Sequence, residues 1–151
     1  MFTARPSSFK QPLLSGINSL LILLWVYAAG SKLLDYKTSR QQMLNQVFPD
    51  FIGHILAWAV PLVELLAAGL LMSNRTLIAG LNLSLFLLLQ FTIYISVVMT
   101  GLFGRIPCSC GGILEEMTWG QHLMFNLLFL ILNLIALLYT IKERRLMGKA
   151  E

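Results

Sequence analysis

Four long apolar runs alternate with short polar stretches in this chain, and they restrict its fold more than any other feature. They cover about residues 13–34, 51–72, 77–103 and 119–141, and open with LLSGINSLLILLW, FIGHILAWAVPLVELL, LIAGLNLSLFLLLQ and WGQHLMFNLLFLILNL. Each is long enough to cross a bilayer core, which takes about 20 apolar residues. Backbone polar groups in lipid have no water to bond, so a spanning segment is a helix or a strand of a closed barrel. The runs are continuous rather than alternating, which selects helices. Of the 151 residues, 57% are hydrophobic and 12% charged, against about 45–50% and about 25% in soluble domains. The expected fold is therefore all-α: a polytopic membrane four-helix bundle forming one domain over residues 1–151. The stretch between the second and third runs, SNRT, is so short that these two helices must form an antiparallel hairpin.

The N-terminal stretch MFTARPSSFKQP is polar, and the apolar run after it is too long for the core of a cleaved signal, so it reads as a retained span. The net charge of +4 comes from basic residues at the ends of the runs. That placement is a topology signal and gives no reason to expect nucleic-acid binding. With four spans, both termini and the SNRT turn share a side. That side holds seven basic residues (Arg5, Lys10, Arg75, Lys142, Arg144, Arg145 and Lys149), and the other holds four (Lys32, Lys37, Arg40 and Arg105). The excess predicts cytoplasmic termini. The connection at 104–118 then faces outward, which in a bacterial inner membrane means the periplasm, where disulfides persist.

That connection contains RIPCSCGG, with both cysteines of the chain, Cys108 and Cys110, separated by one residue. A disulfide between them closes a tight ring, and strain makes such a bond easier to reduce. It restrains too little chain to serve stability alone. Pro107 stiffens the approach, and Gly111 and Gly112 supply backbone freedom. Arg105 favours a thiolate where it lies near, and Glu115 and Glu116 oppose one. A metal site is not expected: zinc takes about four ligands, and His122 alone is a nearby candidate. Cys108 and Cys110 are thus the candidate catalytic pair, with a static bond as the other reading.

Polar groups within the runs are costly in lipid and mark sites or helix contacts. Glu64 lies deep in the second run, three residues after Pro61. It reads either as a proton-transfer or ligand-anchoring group, or as a partner in an interhelical hydrogen bond with Gln90, Asn82, Asn126 or Asn133. Lys32, near the outer end of the first run, is expected to snorkel to the interface or to pair with Asp35. Glu64, Gln90 and Lys32 together are the candidate cofactor-binding residues. His54 and His122 start the second and fourth runs on the cysteine side and are supporting candidates. Trp25, Trp58 and Trp119 read as interface or packing residues, and Gly80 with Ser84 forms a small-xxx-small pair suited to close helix contact.

AAGSKLLDY at the end of the first run, PLVELLAAGLLM in the second, and PCSCGG before WGQHLMFNLLFLILNL resemble the MauE/DoxX family of redox-associated membrane proteins, over about residues 14–139. The Cys-x-Cys-Gly-Gly pattern favours the MauE-like branch. The resemblance implies a small four-helix membrane protein linked to maturation of a periplasmic disulfide-rich subunit, while the other branch is associated with quinone-linked oxidation. It places the family's cysteine-glycine motif on Cys108, Cys110, Gly111 and Gly112, its acidic residue on Glu64 and its lysine on Lys32. Four-helix thiol oxidoreductases of the vitamin-K-reductase type relay electrons between two cysteine pairs. This chain has one pair, so a relay requires a partner protein or a quinone beside the loop.

The functional expectation is a bacterial inner-membrane accessory protein in periplasmic thiol–disulfide chemistry, either an oxidoreductase or a subunit of one. Its partner would be a thioredoxin-like or other periplasmic or membrane protein, and quinone the candidate cofactor. The alternatives are a non-catalytic scaffold with a static Cys108–Cys110 bond, and a small-molecule or lipid-binding protein built around Glu64.

Overall fold

A computed structural model describes residues 10–46, 49–101 and 118–147. Five helices account for most of them: α1 (Lys10–Leu34), α2 (Tyr36–Leu44), α3 (Asp50–Leu71), α4 (Leu77–Met99) and α5 (Trp119–Met147). Four of these, all but α2, are long and apolar enough to cross a membrane. The chain is an all-α, multi-pass membrane bundle. Residues Cys108 and Cys110, with Pro107, Gly111 and Gly112, lie outside the described residues.

The bundle closes as a ring in which α1 packs on α3, α3 on α4, α4 on α5, and α5 back on α1. Each helix turns a narrow stripe inward. On α1 the buried positions include Ile17, Leu21, Trp25, Ala28 and Lys32, a spacing of three and four that holds one helical face. On α3 they include Ala57, Pro61, Glu64, Ala68 and Leu71. The outward faces carry large apolar side chains such as Leu23, Leu62, Phe86 and Met124. On a soluble domain so much exposed apolar surface would drive association, whereas here it meets lipid.

The α3–α4 hairpin is made by small residues. A Cβ built on Gly80 would stand 2.8 Å from the Leu71 nitrogen and 2.9 Å from the Leu70 carbonyl carbon. Only glycine allows the two backbones to come so close. The turn is held by the Thr76 hydroxyl, which donates to the Leu70 carbonyl at 2.8 Å. One turn further along α4, Ser84 is fully buried and accepts the Trp25 indole N–H at 2.8 Å.

The segment after the first span is more ordered than a loop. Asp35 caps α2 by accepting from the Thr38 backbone N–H at 3.3 Å, a common side-chain N-cap. Helix α2 lies against α3 where Gly53 leaves room: a Cβ there would sit 3.0 Å from the Met43 carbonyl oxygen. The Tyr36 ring rests on that of Trp58, with centroids 4.8 Å apart.

Candidate functional site

Because Lys32 continues the inward stripe of α1, its side chain points into the bundle and is 9% exposed. It does not snorkel to the interface, and its partner is Glu64 rather than Asp35. The Lys32 ammonium donates to Glu64 Oε1 at 2.9 Å, to Oε2 at 3.2 Å and to the Ala28 carbonyl at 3.0 Å. Its three N–H bonds are thereby all engaged. Glu64 is 1% exposed and pairs with this cation, not with an amide on α4 or α5. Two charges in so apolar a setting are tolerable only as a pair.

Beside the pair lies a cavity of about 80 Å³, bounded by Trp25, Ala28 and Lys32 of α1, Glu64 of α3, Phe91, Tyr94 and Ile95 of α4, and Trp119, His122, Phe125 and Asn126 of α5. Met43 of α2 also touches it. Helix α2 is tied to this end of the bundle, since Tyr94 donates its hydroxyl to the buried Gln46 amide oxygen and Gln46 Nε2 donates to the Gln42 carbonyl at 3.0 Å.

Two residues that line the cavity each carry a buried nitrogen without a hydrogen-bond partner: His122 Nδ1 and Asn126 Nδ2. The residues are four apart on α5, hence on one face of that helix. Asn126 is only 6% exposed. Buried polar groups are nearly always hydrogen-bonded, and Asn18 Oδ1 and Asn133 Oδ1 towards the other end of the bundle are unpaired in the same way.

The structure brings together Lys32, Glu64 and His122 but leaves two other sequence candidates apart. Gln90 is on the exposed face of α4, away from the cavity lining. His54 is exposed as well, and its Nδ1 accepts from Arg40 Nε at 3.3 Å. Tyr94 and Trp25 line the site without having been singled out as ligand contacts, and Asn126 entered only as a candidate hydrogen-bond partner of Glu64. Its position four residues after His122 was the available signal.

The cysteine connection springs from this end of the bundle. Ile95, in the closing turns of α4, and Trp119, the first residue of α5, both border the cavity. Cys108 follows Gly101 by seven positions, and Thr118 follows Cys110 by eight. At about 3.3–3.6 Å per extended residue, Cys108 is tethered within about 25 Å of Gly101.

The sequence profile described as methylamine utilisation protein MauE matches residues 10–139. The chain belongs to the MauE family. No curated relative and no solved structure matches it. The match takes in the first three spans and most of the fourth, so Lys32, Glu64, His122 and Asn126 all fall within the matched region, as does the cysteine connection. The family links this multi-pass membrane protein to methylamine utilisation.

Proposed function

We propose that this MauE-family protein is an inner-membrane accessory factor that exchanges thiols and disulfides with a client on the periplasmic side. The observation that carries the reading is the tether: the chain's only two cysteines sit in a connection whose described ends lie at the cavity's end of the bundle. The excess of basic residues on the side of the termini supports cytoplasmic termini and a periplasmic cysteine loop. A partner with a thioredoxin-like dithiol, or a secreted subunit acquiring disulfides, suits such a pair.

In the exchange, a client thiolate attacks one sulfur of the Cys108–Cys110 disulfide. A mixed disulfide forms and the other cysteine leaves as a thiolate. A second client thiolate then attacks the mixed disulfide, and the client departs oxidised while Cys108 and Cys110 become a dithiol. The tightness of the Cys-x-Cys ring favours opening of the bond. The bundle supplies a rigid frame at the membrane surface, with Lys32 and Glu64 fixing α1 against α3.

The test is the reduction potential of the pair in purified protein, read by thiol alkylation across a glutathione series. A potential above about −300 mV supports exchange, and one below it makes the bond structural. Labelling of intact cells with an impermeant maleimide places the thiols: modification supports the periplasmic loop, and protection of reduced cysteines overturns it.

A further inference from the structure

We propose that the outward face of α4 docks on the same face of a second copy of this chain, with the two Gln90 carboxamides hydrogen-bonded to each other inside the membrane. The inference does not draw on the thiol-exchange reading.

Helix α4 is one of the four spans, and Gln90 stands thirteen residues after Leu77, its first, and nine before Met99, its last. At about 1.5 Å per residue, those ends are about 20 Å and about 14 Å away, a distance that a glutamine side chain does not bridge. The residue therefore belongs to the hydrocarbon core, which is about 30 Å thick.

Its position around the helix decides what it meets there. Ser84, Leu88 and Ile95 turn into the bundle and are buried. Gln90 is on the opposite, exposed face, with Asn82, Phe86, Leu89 and Ile93. Asn82 lies nearer the helix end and donates to its own helix, at the Ile78 carbonyl, at 2.8 Å. The Gln90 carboxamide makes no hydrogen bond among the described residues. Acyl chains offer it none, and an amide without a partner is costly in such a medium. Glutamine side chains in this position act as glue between transmembrane helices.

The chemistry of the group selects the partner. A carboxamide carries both N–H donors and a carbonyl acceptor, so two of them satisfy each other without bringing a charge into lipid. The amide is complementary to itself, and a two-fold interface presents each residue to its own counterpart. Every copy carries the same distribution of basic residues and so inserts in the same orientation. That sets the two-fold axis along the membrane normal. The two α4 helices then run parallel, and Gln90 meets Gln90 at equal depth. Phe86, Leu89 and Ile93 supply apolar packing around the pair. Both cysteine connections, which follow α4 beyond Gly101, leave on one side of the membrane.

The test is sedimentation equilibrium of purified full-length protein in a neutrally buoyant detergent under reducing conditions. The parent should pass from monomer to dimer as the protein-to-detergent ratio is raised. Gln90→Leu should raise the dissociation constant by about tenfold, the loss of a reciprocal pair of interhelical hydrogen bonds. Gln90→Asn keeps the carboxamide and should shift it far less. Far-UV circular dichroism confirms the helical fold of both. A second measurement locates the face in native membranes. In Cys108→Ser/Cys110→Ser protein, copper-phenanthroline oxidation should join Phe86→Cys into a covalent dimer, and should leave Leu62→Cys, exposed on α3, unjoined. A parent that stays monomeric at every ratio, equal dissociation constants for parent and Gln90→Leu, or equal joining at the two cysteines overturns the proposal. So does joining of Phe86→Cys only to other membrane proteins, which assigns the face to a different partner.

Discussion

Two asparagines on α5, seven residues apart, show how differently the two ends of the bundle are built. Asn133 is fully buried and donates its amide to the Leu81 carbonyl on α4 at 3.2 Å. Asn18, at the same end, donates to the Leu71 carbonyl at 3.1 Å. Around them, Ala67, Ala68, Leu71, Leu81 and Gly80 bring the helices close. Asn126, two turns nearer the cysteine connection, has no acceptor and lines the cavity. One end uses its amides to hold helices together, and the other leaves the Asn126 amide nitrogen unpaired near a charged pair.

The sharpest way to break this contrast is to remove one charge. Glu64→Ala strands the Lys32 ammonium and should cost about 3–5 kcal/mol, read as lost folded protein in a thermal denaturation series in detergent. The double replacement Lys32→Met/Glu64→Leu should recover most of that stability. If Glu64→Ala melts with the parent, the pair does not hold α1 to α3. At the packing end, Gly80→Ala drives a Cβ to within 2.8 Å of the Leu71 backbone, and overpacking of this kind costs about 1–3 kcal/mol. The same denaturation assay measures it. Ser84→Ala leaves the buried Trp25 indole N–H without its acceptor, a loss of about 1–3 kcal/mol accompanied by a change in tryptophan emission.

The smallest effects test the asparagines directly. Asn133→Leu removes an interhelical bond, which in membrane bundles averages about 0.6 kcal/mol. Asn126→Leu removes no bond and should leave stability at or above that of the parent. Equal destabilisation by the two would abolish the distinction between the ends.

Much of this was legible in the sequence. The four apolar runs specified the bundle, and the SNRT turn specified the α3–α4 hairpin. The Gly80–Ser84 spacing marked a close contact, although Ser84's role as acceptor for Trp25 depends on α1 crossing there. Lys32 was misread because its nearness to a span end suggested snorkelling. Its phase relative to Trp25 and Ala28, seven and four residues earlier, was the better guide, since position around a helix decides inside from outside. Glu64's partner was sought among amides because the second charge had been assigned to the interface. Helix α2 was missed because TSRQQ is polar throughout, and its order comes from the Asp35 cap and contact with α3. The cavity had no sequence signal of its own. It arises where residues from five helices fail to fill the space between them.

The paired charges also bear on biogenesis. A nascent α1 carries an ammonium that lipid rejects, and α3 carries the carboxylate that cancels it. Neither span is a comfortable tenant of the bilayer alone. Lateral release of the first into lipid is therefore best delayed until synthesis has delivered the second, so that they leave the insertion machinery as a couple.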